Sequence, residues 1–315
     1  MDIFNTRPFD IFVAFDSAIN VTSSIHTTAS YINIGFCTAA FLTALAGNSM
    51  ILFAYVKDPY KNLQTVPSNL LVATLAFVDI LSGVFFLFLY ILLQTLMSIP
   101  SKIDISYIHW QARFFGPVSV CLSLASLFLL VAMAIDRYFA VTRPLAYKSL
   151  VTKQRIIWAI FSIVLYSLAS FTLFLLNPGW FLFSMFFVGS HLVLAAFLMS
   201  CLYIRIMVSI RRQSRAISQS ADTNIHARRL MLAREKKVLV AVVIVLSLFL
   251  FSFIPCYITT LFLVVCSTCL SYKFAIALLF SVSLFNSTCA FNPFVYGIRV
   301  DKFRQAIGYY SCSKT

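Results

Sequence analysis

Three charged side chains interrupt long apolar runs in this chain of 315 residues. Asp79 lies in the middle of LLVATLAFVDILSG, while Asp136 and Arg137 lie side by side at the end of FLLVAMAIDRY. A charge inside hydrocarbon is costly, so such residues usually have partners and a function. Two interpretations of Asp79 stay open: a carboxyl that bonds a neighbouring helix, and a hydrated site for a cation or a proton.

Side chains that carry oxygen in other apolar runs are candidates to share a site with Asp79. They are Asn48, Ser126, Thr288 and Asn292. A ligand set made only of oxygen suits a hard cation, and we expect no other cofactor. The sequence offers neither the histidine and glutamate spacing of a catalytic metal site nor a pair of catalytic acids, so we do not predict an enzyme.

Two prolines lie deep in the last two apolar runs, Pro255 in FLFSFIPCY and Pro293 in FNPFVYGIR. Proline removes a backbone donor and clashes with the preceding helical turn, so each bends its helix. A static kink is one interpretation. Because both prolines are flanked by aromatic residues, a pair of hinges is the interpretation that we favour.

The elements that must position these residues are membrane-spanning helices. The chain is 61% hydrophobic and 11% charged, with a mean hydropathy of +0.93, so lipid must be the solvent for much of it. Seven continuous apolar stretches predict an all-α bundle of seven transmembrane helices, at 31–56, 66–94, 108–135, 156–176, 180–204, 238–265 and 274–298. We expect an extracellular segment at 1–30, the bundle at 31–298 and a cytosolic tail at 299–315.

The distribution of charge predicts the orientation. The formal net charge is +14, and four of the 24 basic residues, Arg7, Lys102, Arg113 and Lys273, fall outside the segments that would face the cytosol. This positive-inside pattern predicts an extracellular N-terminus and a cytosolic C-terminus in the plasma membrane, not a nucleic-acid partner. The basic segments have two further interpretations, contact with anionic lipid and contact with an acidic cytosolic protein. The sequon at Asn20 predicts glycosylation on the outer side.

An ordered set of motifs resembles the rhodopsin-like, class A G-protein-coupled receptors over residues 31–312. The set comprises GN in the first stretch, LAFVD in the second, DRY after the third, Trp158 in the fourth, FxxxFIP in the sixth and NPxxY in the seventh, with Asn292, Pro293 and Tyr296. A single DRY sequence is weak evidence for this family, but the whole ordered set of motifs at these spacings is specific to it. The resemblance implies a receptor that activates a heterotrimeric G protein.

The resemblance also assigns roles at the cytosolic end. It implies that Arg137 of the DRY motif, with Asp136 and Tyr138, meets the G-protein C-terminus, and that Tyr203 and Tyr296 rearrange beside it. Leu145 would enter an apolar pocket on the G protein. Glu235 would lock Arg137 in the inactive state, and the alternative is that Glu235 belongs to an ordinary solvated helix face.

Within the bundle, Asp79, Ser126 and Asn292 match the sodium pocket of the family, and Phe249 matches its transmission aromatic. Phe253 takes the place of the usual toggle tryptophan. This leaves open a constitutively active or non-signalling receptor; a seven-helix transporter is less favoured because no inverted repeat is visible. Residues 301–310 resemble the short amphipathic eighth helix, followed by Cys312 as a palmitoylation candidate.

Several positions depart from the family pattern and indicate which branch of the family the chain resembles. Ala195 replaces the proline of the fifth helix, and Ala112 replaces the cysteine that usually opens the third. Together with the short NPGW connection these features resemble melanocortin receptors, while other segments resemble adenosine receptors, within the larger branch that also holds lysolipid and cannabinoid receptors. Cys266 and Cys269 face the oxidising side, where they form a small disulfide loop or stay free.

The pocket that the resemblance implies holds no carboxylate. Its residues are Ser119, Val120, Ser123, Phe187, His191, Phe253, Cys256, Tyr257, Thr260, Val282 and Asn286. Ser119 stands where amine receptors have an aspartate, Asn286 where opsins have a lysine, and Thr260 where adenosine receptors have an asparagine. Because an unpaired buried cation is very unfavourable, we predict a small neutral or lipophilic ligand anchored by His191 and Asn286. The alternative is that His191 bonds within the bundle.

Overall fold

The computed structural model of the protein describes residues 23–59, 63–89, 91–92, 95, 105–176, 181–219, 233, 240, 243–244, 247–262 and 271–293. Every regular element in these ranges is a helix. We label them α1 (Ser23–Lys57), α2 (Asn69–Ser82), α3 (Ile105–Thr142), α4 (Lys153–Leu176), α5 (Phe181–Gln219), α6 (described over Ser247–Phe262) and α7 (Tyr272–Asn286). A π-helical segment, Gly83–Phe88, extends α2, and a 3-10 turn, Ser287–Ala290, extends α7.

Six of these helices are long and apolar enough to cross a membrane, and α6 is a shorter apolar helix over its described residues. All seven coincide with predicted apolar stretches. Large apolar side chains remain exposed along the outer helices, for example Trp158 on α4 at 60% and Val193 on α5 at 72%. A soluble protein would bury such residues, whereas lipid solvates them.

Two helices extend beyond the apolar stretches that predicted them. The third stretch ends at residue 135, and α3 continues through Asp136 to Thr142. The fifth stretch ends at residue 204, and α5 continues to Gln219. Hydropathy marks where the hydrocarbon ends, whereas a helix can continue into water, as the end of α5 with its arginines and glutamines does.

The third helix lies at the centre of the bundle. It packs against α2, α4 and α5, while α1 packs against α2 and α7. The core between α2 and α3 is built from leucines that are at most 1% exposed, including Leu71, Leu75, Leu124, Leu127 and Leu130. This rigid contact fixes Asp79 and Arg137 relative to each other.

Helices α1 and α7 approach closely at one glycine. A Cβ placed on Gly47 would lie 2.6 Å from Cβ of Pro293, which is buried. Such a separation is shorter than any real Cβ contact, so only glycine fits. The GN and NPxxY motifs therefore meet in space, which explains why they occur together.

Candidate activation site and polar core

The site begins with Arg137 and Asp136 on the last turns of α3. The Arg137 Nε donates to Asp136 Oδ2 at 2.8 Å, and its Nη2 contacts the same oxygen. The Asp136 side chain is 3% exposed and that of Arg137 17%. The two charges therefore balance each other where α3 leaves the apolar core.

Two further side chains complete this network. Arg137 Nη2 donates to the Ser68 hydroxyl, at the start of α2, at 2.9 Å. The Tyr147 hydroxyl donates to Asp136 Oδ1 at 2.8 Å and lies 3.4 Å from the Ser68 hydroxyl. Tyr147 opens a four-residue helix, Tyr147–Leu150, in the connection between α3 and α4. The network thus joins α2, α3 and that connection.

The electrostatics of the network act on Tyr147. Its burial, together with the negative charge of Asp136, raises the pKa of the Tyr147 phenol to about 12. The phenol therefore remains protonated at physiological pH and remains a donor to the carboxylate. Neither Ser68 nor Tyr147 was predicted, because nothing in their local sequence distinguishes them from ordinary loop residues.

We call this end of the bundle the basic end, defined by the exposed residues Arg143, Lys148, Lys153 and Arg155 beside the network. The two acids described there are both engaged. Asp136 pairs with Arg137, and the buried Asp58 accepts hydrogen bonds from the backbone N–H groups of Leu63 and Gln64. Over the described residues, the uncompensated charge of the basic end is therefore positive.

The other predicted switch residues surround the network. Tyr138 and Tyr203 pack on a small separate core of Val141, Ile206 and Ile210, between the ends of α3 and α5. Leu145 projects from the α3–α4 connection and is 101% exposed. Its entry into an apolar pocket of a partner protein stays a prediction.

A second polar cluster lies deeper, around Asp79 of α2. Asp79 is 2% exposed, and its Oδ2 accepts a hydrogen bond from Asn292 Nδ2 at 2.7 Å. Within the described part of the chain this is its single side-chain hydrogen bond. Asp79 is thus bonded to a neighbouring helix, as the first interpretation held.

A cavity of about 30 Å³ adjoins Asp79. It is lined by Asp79, Ser82, Phe86, Ser123, Ser126, Leu130, Leu248, Phe249, Phe285, Asn286, Thr288, Cys289, Phe291 and Asn292. A cavity of about 10–15 Å³ already accommodates a water molecule. Carboxylate, hydroxyl and amide oxygens line one wall, which is the donor set that a hard cation prefers. These residues therefore fit a small cation as well as water.

Asn48, the remaining oxygen candidate, lies outside this lining. Its Nδ2 donates to the Ala44 carbonyl at 2.9 Å and to the Cys289 carbonyl at 3.0 Å. It therefore ties α1 to the 3-10 turn of α7. Thr288, on the same turn, lines the cavity and donates to the Phe285 carbonyl at 2.8 Å. Its oxygen keeps acceptor capacity toward the cavity.

Aromatic rings connect the cavity with the predicted ligand pocket. Phe249 and Phe253 of α6 both contact Phe285 of α7, with centroids 6.0 and 5.6 Å apart. Phe253 stacks on Tyr257, 5.5 Å away. The Tyr257 ring in turn lies against Gly189 of α5, since a Cβ there would be 2.9 Å from the ring. The rings thus link α5, α6 and α7 in one layer.

His191 bonds within the bundle. Its Nδ1 lies 2.6 Å from the Phe187 carbonyl, and its Nε2 lies 2.6 Å from the Tyr166 hydroxyl. A carbonyl only accepts, so Nδ1 carries the proton and, in the neutral ring, Nε2 accepts from Tyr166. Phe128 stands edge-on to both rings. Tyr166 was not predicted, because it lies 25 residues away on another helix.

The remaining pocket residues divide between core and cavity. Ser123 and Asn286 line the cavity, Val120 is buried against the main core, and Val282 is half-buried. Thr260 donates to the Cys256 carbonyl at 2.7 Å. Ser119 lies in α3 next to Val120.

Two prolines lie within continuous helix over the described residues. Pro255 is half-buried in α6, and its carbonyl accepts a hydrogen bond from Thr259 at 2.9 Å. The second, Pro117, is buried inside α3 and was not predicted to matter. Six predicted sites and the eighth helix lie outside the described residues: Asn20, Glu235, Cys266, Cys269, Tyr296, Cys312 and residues 301–310.

Comparison with known proteins gives consistent results. The family described as "7 transmembrane receptor (rhodopsin family)" matches residues 47–296. The chain is 27% identical to the adenosine receptor A2a of the dog, Canis lupus familiaris, covering 89% of this chain and 72% of the receptor. It is 27% identical to the human adenosine receptor A2a, covering 87% and 70%.

A shorter match covers part of the bundle, and a solved structure covers most of it. The probable G-protein coupled receptor 21 of Mus musculus is 34% identical over 129 residues, 40% of this chain and 35% of that receptor. The crystal structure of squid rhodopsin superimposes with a TM-score of 0.73 at 18% identity, covering 89% of this chain and 85% of that one. Squid rhodopsin therefore shares the fold.

Proposed function

Since the chain belongs to the rhodopsin family of seven-transmembrane receptors, we propose that it relays an extracellular neutral or lipophilic ligand to a heterotrimeric G protein. Signalling of this kind is typical of the family, whose members are multi-pass membrane receptors and not enzymes. The observation that carries the proposal is the network of Arg137, Asp136, Ser68 and Tyr147 at the basic end. It holds the arginine in place beside a fully exposed Leu145.

The basic end faces the cytosol in this proposal. Its exposed side chains Arg143, Lys148, Lys153 and Arg155 support that orientation through the positive-inside rule. The N-terminus and its sequon at Asn20 then lie outside the cell. Anionic lipid heads and an acidic partner both suit this surface.

Release of Arg137 is the proposed switch. In the described arrangement its guanidinium is held by Asp136 and by Ser68, so both bonds must open before it meets a G-protein tail. Asp136 does not become unpaired when this happens, because Tyr147 still donates to its other oxygen. The cost of release is thereby lowered, which favours a two-state switch.

Glu235 is the proposed second partner of Arg137, as the family resemblance implies. A partly exposed ion pair contributes about 1 kcal/mol at most. Glu235→Ala should therefore raise ligand-free nucleotide exchange several-fold. If the variant reaches the surface normally and its basal exchange equals that of the wild type, no such lock operates.

The Asp79 cavity is proposed to hold sodium, which when bound supplies the positive charge that Asp79 lacks within the bundle. Ser126, Thr288 and Asn292 line the same cavity and would supply the remaining oxygen atoms. Because Asn292 directly follows the 3-10 turn of α7 and Asp79 lies in α2, this cluster connects the two helices. A cation that favours that closed arrangement must weaken any agonist that favours another one.

The ligand is proposed to be uncharged, with Asn286 as its polar anchor. Within the described bundle the pocket residues carry no acid, and His191 is already bonded to Tyr166. The related adenosine receptors make nucleosides the first compounds to test. Thr260 argues against them, since it stands where adenosine receptors have an asparagine and its hydroxyl proton is already donated to the Cys256 carbonyl. Four residues connect α4 and α5, so the outer loop between them is very short, which also argues against nucleosides.

The decisive experiment is guanine-nucleotide exchange on a panel of purified heterotrimers, with the receptor in lipid nanodiscs. Lipid, steroid and nucleoside pools would be added in turn. We expect exchange with at least one heterotrimer, and a loss of about tenfold or more in Arg137→Ala. An agonist whose potency requires a protonated amine would overturn the ligand proposal while leaving the coupling proposal intact.

A further inference from the structure

The hydrogen-bonded pair of Tyr166 and His191 lies at the surface that α4 and α5 present to lipid. Tyr166 is 39% exposed, and His191 is half-buried. Tyr166 lies ten residues before the end of α4 at Leu176, and His191 lies ten residues after the start of α5 at Phe181. That separation is about 15 Å along each helix, about half the thickness of the hydrocarbon. The pair therefore meets the middle of the acyl chains and not their headgroups.

The hydrogen bonds of the pair occupy both of its side-chain protons. His191 Nδ1 donates to the Phe187 carbonyl at 2.6 Å, and the Tyr166 hydroxyl donates to Nε2 of the neutral ring at 2.6 Å. The phenol oxygen keeps the capacity to accept one more hydrogen bond. Hydrocarbon holds no water that could donate to it. The pair therefore favours a neighbour in the membrane that carries a hydrogen-bond donor.

The exposed hydroxyl groups within one turn of the pair have the same polarity. Ser162 lies four residues before Tyr166, on the same face of α4, and Ser190 directly precedes His191. Both hydroxyls donate to backbone carbonyls of the preceding turn, at 2.9 and 2.8 Å. Their protons are committed, and their oxygens can accept. The polar side-chain atoms of these four residues therefore offer acceptors to the lipid.

Aromatic rings hold the pair in place and give it an apolar border. Phe128 of α3 stands edge-on to Tyr166 and to His191, with centroids 5.4 and 5.8 Å apart. Phe187 lies 4.4 Å from the His191 ring and 5.5 Å from the Phe174 ring. A hydrocarbon chain can pack on such rings. One hydroxyl group on that chain would then suit the phenol oxygen.

We infer that Tyr166 and His191 form a binding site for a membrane lipid whose acyl chain carries a hydroxyl group near its middle. The alcohol donates its proton to the Tyr166 oxygen, while the rest of the chain packs on the neighbouring rings. A ketone at the same carbon would bring a second acceptor against the first, and a saturated chain would bring no donor. The site therefore selects the alcohol over both.

This site differs from the pocket of the proposed function, whose polar anchor is Asn286 in the cavity beside Asp79. Its occupant should also strengthen the contact between α4 and α5. A hydroxyl group that accepts one hydrogen bond becomes a better donor in the other. A bound alcohol therefore reinforces the bond from Tyr166 to His191, which joins the two helices. We expect the thermal stability of the receptor to rise with the alcohol and not with the ketone.

The test uses the full-length receptor in nanodiscs that contain equal amounts of stearoyl and 12-hydroxystearoyl phosphatidylcholine. Native mass spectrometry then identifies the lipids that stay bound when the receptor is released. We expect the hydroxylated lipid to be enriched about tenfold, the effect of a single hydrogen bond in hydrocarbon. The 12-ketostearoyl lipid, offered in its place, should not be enriched.

Tyr166→Phe removes the acceptor and keeps the ring, so it should abolish the enrichment. Tyr31→Phe is the matched control, because Tyr31 is an exposed tyrosine on α1, which packs against α2 and α7. It should retain the enrichment of the wild type. Equal retention of the stearoyl and hydroxystearoyl lipids by the wild type, or undiminished enrichment in Tyr166→Phe, would overturn the inference.

His191→Phe separates a binding site from a structural contact. Without the imidazole the phenol proton becomes free, so Tyr166 can donate as well as accept. The variant should therefore retain the ketone as well as the alcohol, whereas a pair with only a structural role would lose stability without changing its choice of lipid. Continued rejection of the ketone would refute the assignment of the acceptor. Lipid retention needs no G protein, so a receptor that binds the alcohol but supports no nucleotide exchange would refute the coupling proposal alone.

Discussion

Two of the buried carboxylates, Asp136 and Asp79, have opposite surroundings. Asp136 faces a guanidinium on one oxygen and a phenol on the other, so protein groups satisfy it fully. Asp79 receives one amide bond from Asn292 and borders a cavity. One carboxyl group is therefore fully partnered by the protein, whereas the other also borders a space that an ion or water can enter.

We propose that this difference separates a switch from a sensor. The partners of Asp136 are side chains on three segments, so changing its environment means moving those segments. The environment of Asp79 would change when a small ion or water enters or leaves the cavity. The basic end should therefore control basal activity, and the cavity should control how that activity responds to salt.

Asp136→Asn should give the largest effect. It removes the charge that holds Arg137 while keeping the shape of the side chain, and a hydrogen bond between charged groups contributes about 1.5–3 kcal/mol. Ligand-free nucleotide exchange should rise about tenfold. Unchanged exchange at equal surface expression would mean that Asp136 does not restrain Arg137.

Gly47→Ala tests the close contact between α1 and Pro293, which positions Asn292. Its new Cβ would lie 2.6 Å from Pro293, the neighbour of Asn292, and overpacking of this kind costs about 1–3 kcal/mol. Thermal unfolding in nanodiscs should shift to lower temperature. Gly35→Ala in the same helix is the control, because nothing lies within 4 Å of its Cβ. It should be neutral or slightly stabilising.

Asp79→Asn should abolish the salt response and leave the basal rate within a few-fold of wild type. We expect wild-type thermal stability to be higher in sodium chloride than in choline chloride at equal ionic strength, and the variant to show no such difference. Equal thermal stability of the wild type in both salts would contradict the proposal that sodium binds beside Asp79.

Tyr147→Phe should give the smallest effect, a fall in basal exchange of about twofold, since Asp136 would lose the hydrogen bond that still satisfies it once Arg137 is released. It also predicts a pH dependence. The pKa of the phenol is about 12 in the fold and about 10 when unfolded. Its stabilising contribution is therefore complete below pH 10 and is lost as the pH rises toward 12. The phenylalanine variant should lack that component of alkaline unfolding.

The seven helices could be predicted from the sequence because each is a continuous apolar run, and lipid leaves few alternatives to a helix. The helix ends were less predictable. The end of α3 at Thr142 and of α5 at Gln219 lie in water, where hydropathy carries no information.

Partners on different helices were predictable where oxygen-bearing side chains interrupt apolar runs, as for Asp79 and Asn292. Elsewhere they were predictable only within one helix. Asp136 and Arg137 are adjacent in sequence, so their pairing followed from proximity. Ser68, Tyr147 and Tyr166 joined the sites from other segments, and no periodicity marks such contacts. His191 shows why such contacts could not be predicted. Whether its side chain bonds a ligand or Tyr166 depends on how α4 packs against α5.

The π-helical segment Gly83–Phe88 has an evolutionary consequence. A π-bulge behaves as one residue inserted into an α-helix, and each added residue turns the rest of the helix by about 100°. Losing a single codon from this segment would rotate the outer part of α2 and present different side chains to the bundle. The inner part, with Asp79, would keep its place. Ligand preference can thus diverge by insertion or deletion of one residue while the signalling core is inherited unchanged.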